Sequence, residues 1–457
     1  MNELLRLITL QDANTRLVLL GTGVLGLAAG VIGALAVLRR RALVGDALAH
    51  AALPGVCVSF LVFRERSLPL FLLGALVFGV LGVLTMNAIR RFTRIKEDAA
   101  IAIILGSFFG LGIALSGIIQ RLPSGNRSGL DGFLFGKAAG MVRDDVTLIA
   151  LASAAALLGV AALYKEFKLL GFDRAFAGSL GWRVALLDFI LMSLLAIVTV
   201  VGLPAVGVVL MAALLIIPGV TARFWTDRLA PHLVLAGIFG MLAGLIGAGL
   251  SAVLPAPQSA LSRGFPTGPL IVLVAGTLFV ASLLFAPGRG LIARWSTARS
   301  LQRRIHDEHL LRDLYELQES ASFKAGSVPA PSIGQIAAHR AWRMVPLRNA
   351  IARANALGYV TQTRGTLALT ASGREKSLRI IRSHRLWELY LHEHAGIAPD
   401  HVDRDADLIE HFVTPELLAK FESQLALGDA DPIRTGAAMG VPLSLHPPGA
   451  SAEEAPR

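Results

Sequence analysis

The chain has 457 residues, of which 54% are hydrophobic and only 16% charged, with a mean hydropathy of +0.62. A soluble globular chain carries about a quarter of its residues as charges, so these proportions exclude an ordinary soluble enzyme. The formal net charge of +11 sits almost wholly in residues 1–290, which hold 23 Lys and Arg against 13 Asp and Glu while the remainder holds 20 against 19; this suits basic loops on anionic lipid and argues against a strongly basic nucleic-acid-binding tail.

A membrane span needs about 20 apolar residues. By that measure the sequence predicts nine transmembrane helices, at roughly 15–38, 46–63, 69–89, 99–120, 146–163, 184–201, 203–222, 232–253 and 269–287. Several are short and glycine-rich, which predicts tilted or broken helices. The sixth and seventh are expected to part at Gly202-Leu203-Pro204. With the N-terminus outside, the inner loops carry 13 Lys and Arg and the outer loops 7, a bias that places the C-terminal part in the cytoplasm. Met1–Leu10 is short, carries Glu3 and lacks a small-residue cleavage site, so the first span is expected to act as the insertion signal. The single cysteine, Cys57, rules out intrachain disulfides and a cysteine-based zinc site.

Polar residues in or beside spans are costly in lipid and therefore functional candidates. Asp46 and His50 lie four residues apart in the second span, so on a helix they share one face. A carboxylate and an imidazole at that spacing suit one divalent cation such as Mn²⁺, Fe²⁺ or Zn²⁺; they equally suit a structural hydrogen bond tying the helix to a neighbour. Pro54 and Gly55 predict a break that frees backbone carbonyls beside the pair. Glu97 and Asp98 open the fourth span, where acids favour a helix N-terminus. Between the fifth and sixth spans, Phe172–Gly181 reads as a short helix with Asp173 as N-cap. A phosphate-binding loop needs Gly-x-x-x-x-Gly-Lys-Ser/Thr. The nearest string, Gly132 to Ala138, is one residue short and lacks the hydroxyl, so ATP hydrolysis is not expected of this chain.

Beyond residue 290 the sequence reads as soluble protein. Residues 291–321 predict a charged amphipathic helix, and Ser327–Ser332 a linker or turn. Ile333–Ala338, a turn near Trp342–Pro346 and Leu347–Leu357 form a helix–turn–helix-like stretch whose second helix carries Arg343, Arg348 and Arg353, candidates for phosphate contact on DNA. Tyr359–Val360 and Leu367–Leu369, split by Arg364-Gly365, predict a small β-wing. Leu369-Thr370-Ala371-Ser372-Gly373-Arg374 opens another helix, and residues 436–457 read as a disordered tail.

Five segments of residues 10–290 resemble, in order, the ABC-3 family of permeases, the membrane subunits of manganese, zinc and iron ABC importers. They are Gly45-Asp46-Ala47-Leu48-Ala49-His50-Ala51-Ala52-Leu53-Pro54-Gly55, Lys96-Glu97-Asp98-Ala99-Ala100-Ile101, Phe133-Leu134-Phe135-Gly136, Gly171 through Gly181, and Ala205 through Pro218. The resemblance implies that Asp46 and His50 lie on the cation path. It implies that Phe172–Gly181, with Phe172, Asp173, Ala177 and Gly181, is the coupling helix that docks on a separate ATPase chain. It further implies a second permease subunit, an extracytoplasmic metal-binding solute protein, a bacterial cytoplasmic (inner) membrane location and no tightly bound cofactor in the permease.

Residues 305–435 resemble the iron- and manganese-dependent repressors of the diphtheria toxin repressor type. The residues that carry the likeness are Leu369-Thr370-Ala371-Ser372-Gly373, Ser383-His384-Arg385-Leu386-Trp387-Glu388 and Asp405-Ala406-Asp407-Leu408-Ile409-Glu410-His411. This resemblance implies a winged helix over 305–375 and a metal-binding dimerisation domain over 376–435, with His384, Asp407, Glu410 and His411 as ligands, Glu388 beside them, Mn²⁺ or Fe²⁺ as the ion and DNA as a further partner. One departure stands out: where the family draws ligands from its first helix, this chain has His309 and Arg312. The expected architecture is an all-α polytopic membrane protein followed by a cytoplasmic winged-helix and helical dimerisation domain. The rival functions are a membrane-anchored metal-dependent transcriptional regulator and a siderophore- or cobalamin-type permease.

Overall fold

A computed structural model describes residues 13–65, 67–122, 136, 140–254, 266–325 and 330–395, together with 416, 435–436 and 441–442. The chain divides into two compact units, Met1–Arg294 and Trp295–Arg457.

The first unit is helical throughout. Its elements are α1 (Ala13–Leu38), α2 (Ala42–Phe63), α3 (Leu68–Phe92), α4 (Glu97–Arg121), α5 (Arg143–Ala162), the short α6 (Tyr164–Phe172) and α7 (Arg174–Ser179), then α8 (Val184–Val206), α9 (Val208–Arg223), α10 (Leu229–Val253) and α11 (Thr267–Phe285). Among the described residues eight of these, all but α6, α7 and α9, are long and apolar enough to cross a membrane. The remaining expected span is α9, 16 residues long, or about 24 Å at 1.5 Å per residue against a hydrocarbon core of about 30 Å.

The break before α9 is not where the residues suggest. Helix α8 runs through Gly202 and Pro204, and the chain turns at Gly207, whose φ of 91° and ψ of 161° belong to a region open essentially only to glycine. Pro204 removes one backbone hydrogen bond without ending the helix; Gly207 ends it. Gly136, the one described residue of the expected Phe133–Gly136 motif, lies against this break: a Cβ there would meet the Val206 carbonyl carbon at 2.5 Å. Likewise Pro54 and Gly55 do not break α2, which is continuous from Ala42 to Phe63. Gly55 instead lets α2 approach α3, since a Cβ on it would lie 2.1 Å from the Gly74 carbonyl oxygen.

The seam between α1 and α10 is the most extensive helix contact. A Cβ on Gly26 or Gly30 would fall 2.2 Å from the carbonyl oxygens of Gly240 and Ala236, and Thr22 Oγ1 donates to the Gly244 carbonyl at 3.2 Å. Small residues four apart are how helices pack in lipid, where no hydrophobic drive separates side chain from solvent. Leu25, Ile32, Leu48, Leu191, Met192 and Met211 fill the interior. Leu73, Val77, Leu81 and Leu84 of α3 are exposed, as a lipid-facing stripe requires. Helix α2 packs against α3, α4, α8 and α9, which places Asp46 and His50 within the bundle.

The second unit contains the long helix α12 (Leu291–Ala325, which begins just before it), α13 (Ile333–His339), α14 (Met344–Ala356), the strands β1 (Val360–Thr363) and β2 (Thr366–Leu369), and α15 (Ala371–Ala395). Ser332 and Gln335 cap α13 reciprocally, at 2.8 and 3.3 Å. The hairpin turns on Arg364 and Gly365, both at positive φ, the signature of a tight type I′ turn whose twist matches the strands. Thr370 accepts from the Gly373 amide at 3.0 Å and starts α15. Leu310, Leu311, Leu314, Ile336, Leu347, Ile351, Val360 and Leu367 form a separate core. Thr435–Gly436 pairs antiparallel with Val441–Pro442. The rest of the expected tail over 436–457 lies outside the described residues.

Candidate metal sites and coupling segment

On α2, Asp46 Oδ1 and His50 Nε2 are 3.5 Å apart, with side chains 27% and 14% exposed. The imidazole stands edge-on to the Phe109 ring, with centroids 4.7 Å apart, and its buried Nδ1 has no hydrogen-bond partner among the described residues. Pro54 adds a third polar group. A helical N–H at position 54 would donate to the carbonyl of residue 50, and proline has none to give, so the His50 carbonyl lacks its helical donor although the helix stays whole. The carboxylate and the imidazole suit a divalent cation. No third His, Cys or acidic side chain joins the pair in a cluster among the described residues.

The segment after α5 folds as its residues predict. Asp173 Oδ1 accepts from the Phe176 amide at 2.9 Å, capping α7. Ala177 is buried, and Gly181 has φ 82°. Phe172, Phe176, Leu180 and Trp182 are exposed, Phe172 at 74%, so this short connection between spans displays an apolar face.

Beside it lies a charge cluster that residue-by-residue reading passed over. Asp188, on the second turn of α8, is 5% exposed. Its Oδ1 is 2.6 Å from Arg39 Nη2 and 3.5 Å from Arg41 Nη1, and its Oδ2 is 3.1 Å from Arg174 Nη2. Arg39 also donates to the Leu170 carbonyl of α6. An aspartate in the otherwise apolar run Val184–Val201 was the signal available in the sequence.

In the second unit, His384 is 2% exposed and its Nδ1 lies 3.0 Å from Arg312 Nη1, itself 4% exposed. Arg312 Nε donates to Glu316 Oε1 at 2.6 Å. The Arg312 guanidinium takes up the Nδ1 side of the His384 imidazole, and its charge repels a cation there. Asp407, Glu410, His411 and the side chain of Glu388 lie outside the described residues. A neighbouring cluster, Asp313, Glu316 and His339, brings three potential ligand atoms within 4.8 Å of one another. It too is saturated. Asp313 accepts from Arg340 Nε at 3.0 Å and Trp342 Nε1 at 2.7 Å, and Glu316 Oε2 is 3.2 Å from His339 Nε2. Burial raises the Asp313 pKa against the pull of Arg340 and Trp342. Burial also works to raise that of Glu316, but the His339 hydrogen bond and Arg312 together bring it down to about 2. The bond to Glu316 raises the pKa of His339 in return. This cluster is an ion-pair network clamping α12 to the turn after α13. Of the three arginines expected to face DNA, Arg343 and Arg348 are exposed, while Arg353 makes a bidentate pair with Asp307, its Nη2 2.7 Å from Oδ1.

Comparison with known proteins places these features in context. Residues 11–286 match the model of the ABC 3 transport family, and residues 370–434 that of the iron dependent repressor, metal binding and dimerisation domain. The manganese transport system membrane protein MntC of Bacillus subtilis (strain 168) is 41% identical over 396 residues, covering 87% of this chain and 88% of that protein. The zinc transport system membrane protein TroC of Treponema pallidum is 40% identical over 292 residues, 64% of this chain and 95% of the relative. Among solved structures, PsaBC from Streptococcus pneumoniae in complex with Fab matches with a TM-score of 0.56 and 30% identity, over 65% of this chain and 99% of that one.

Proposed function

The chain belongs to the ABC 3 transport family, and from that premise we propose that it is the membrane permease subunit of an ATP-driven importer of manganese, zinc or iron, with a regulatory domain fused at its C-terminus. The single observation that carries the reading is the Asp46–His50 pair, two bare ligands on one face of an apolar helix inside the bundle. A siderophore or cobalamin carrier has no use for bare ligands, because its metal arrives already chelated. Against a membrane-anchored regulator stands the coupling-helix-like segment Phe172–Gly181, which sensing or anchoring alone does not call for.

ATP hydrolysis belongs to a separate ATPase chain, which docks on the exposed face of Phe172, Phe176 and Leu180 around the buried Ala177. A second permease subunit completes the pore, and an extracytoplasmic solute-binding protein delivers the ion. The N-terminus lies outside a bacterial inner membrane and the second unit in the cytoplasm, as the 13-to-7 loop bias favours. That unit is a winged-helix-like and dimerisation domain in which Arg312 takes the place of a cation at His384; Mn²⁺ or Fe²⁺ binds there weakly while Arg312 remains, and DNA contact falls to Arg343 and Arg348.

The test is uptake of radiolabelled Mn²⁺, Zn²⁺ and Fe²⁺ by cells carrying Asp46→Ala or His50→Ala. Both variants should reach the membrane and lose uptake. Normal uptake of all three ions by both variants overturns the assignment.

A further inference from the structure

Asp188 gathers three arginines from two separate parts of the chain. Arg39 follows the last residue of α1 and Arg41 caps α2. Between them Arg40 adopts a left-handed conformation at φ 58°, which folds the corner tightly enough for both neighbours to reach one carboxylate. Arg174 opens α7, the capped helix of the exposed segment. The carboxylate is buried, so its field is poorly screened. Asp188 therefore sits among three guanidiniums that repel one another. Neutralising the anion leaves the three guanidiniums without the carboxylate that offsets their repulsion.

The position of the cluster matters as much as its charge. Asp46 lies five residues beyond Arg41 on the same helix, about 7.5 Å along its axis. We propose that Asp188 is a positioning residue for transport, the anchor that ties the exposed α7 segment to the α1–α2 corner and so passes displacement of that segment to the helix carrying Asp46 and His50. This rests on the reading of the chain as a permease driven through α7. It adds the physical link between the driven surface and the ion path, a packed element through which coupling free energy is carried.

The test compares metal uptake with ATP hydrolysis in the full-length chain assembled with its ATPase subunit. Asp188→Asn keeps the size of the side chain, removes its charge and turns one of its two acceptor oxygens into a donor. It should lower Mn²⁺ or Zn²⁺ uptake about tenfold or more while hydrolysis stays within about twofold, the span of an ordinary coupling energy. Asp188→Glu should restore most of the uptake. Arg174→Gln alters a residue that is half exposed, so the chain should fold regardless, and it should show the same split more weakly. Overturning results are uptake within twofold of the parent in Asp188→Asn, or uptake and hydrolysis falling together in step with protein lost from the membrane. An unaltered complex that takes up no metal at all brings down the permease reading, and this proposal with it.

Discussion

Carboxylates and imidazoles gather in both halves of the molecule, and the two gatherings differ in one respect. At Asp46 and His50 no arginine or lysine pairs with the carboxylate among the described residues, and one imidazole nitrogen is left without a partner. At Asp313, Glu316, His339 and His384, Arg312, Arg340 and Trp342 already fill the acceptor positions. By residue type and spacing the second group is the richer metal site. By electrostatics it is the poorer one, since each guanidinium already supplies the positive charge a metal would bring. Ligand type nominates a site; the neighbouring cations decide whether an ion has anything left to neutralise.

The sharpest way to break this contrast is to give the first site the arginine of the second. His50→Arg places a guanidinium one helical turn from Asp46, within pairing distance, and should lower uptake by about 100-fold or more, at least what loss of an outer-shell partner costs a metal site, with the protein still in the membrane. Immunoblotted membranes and radiolabelled uptake decide, and near-normal transport would mean that the pair is structural.

The converse change should open the second site. In a fragment beginning at Trp295, Arg312→Glu exchanges a cation for an anion beside His384, and Mn²⁺ affinity by calorimetry should rise about tenfold, equivalent to about 1.4 kcal/mol. Equal affinity in the parent, Arg312→Glu and His384→Ala fragments would show that His384 ligates nothing.

The saturated network also carries a pH signature. Glu316 is depressed from 4.5 to about 2, so it contributes stability that is present above pH 4.5 and lost as pH falls towards 2, on the order of 3 kcal/mol by linkage. His339 is raised above 6.5, so its contribution is complete below that pH and lost as pH climbs through the raised value. Asp313, raised by burial, works against Glu316: the folded state holds its proton more tightly, which trims the gain above pH 3.8. The melting temperature of the fragment should therefore peak between pH 4.5 and 6.5, and His339→Gln should flatten the neutral limb. A profile unchanged by that substitution would place the titration elsewhere.

The smallest expected effect is at α7. Asp173→Ala removes the α7 cap, worth about 1 kcal/mol, and should speed hydrogen exchange at the Phe176 amide about fivefold. Unaltered exchange would show that tertiary packing, and not the cap, sets the helix start.

What the sequence made legible is what depends on near neighbours. Apolar runs located the spans, i, i+4 spacing paired Asp46 with His50, and Asp173 announced its cap. The positive φ values at Arg364-Gly365 fall where two short apolar runs left room for a turn. The resemblance also singled out Arg312 as a departure, and the structure gives the reason, a contact with His384 across 72 residues. Illegible features depend on the backbone or on distant partners. Whether Pro204 or Gly207 ends α8 is decided by a dihedral that composition does not state. Pro54 looked like a break because a lost hydrogen bond was equated with a lost helix, yet packing against α3 and α4 keeps α2 whole. Asp188 meets arginines 149, 147 and 14 positions away, and no local pattern brings those together.

The seam between α1 and α10 sets an unusual rule for mutational tolerance. Alanine is ordinarily the mildest replacement inside a helix and improves on glycine by up to about 1 kcal/mol. At Gly26, Gly30, Gly240 and Gly244 the added methyl would lie 2.0–2.3 Å from a carbonyl oxygen of the opposing helix, where ordinary van der Waals contact begins near 3.4 Å. The backbones must then part by an ångström or more. In a systematic alanine scan these positions should rank among the most damaging, although no side chain there does any chemistry.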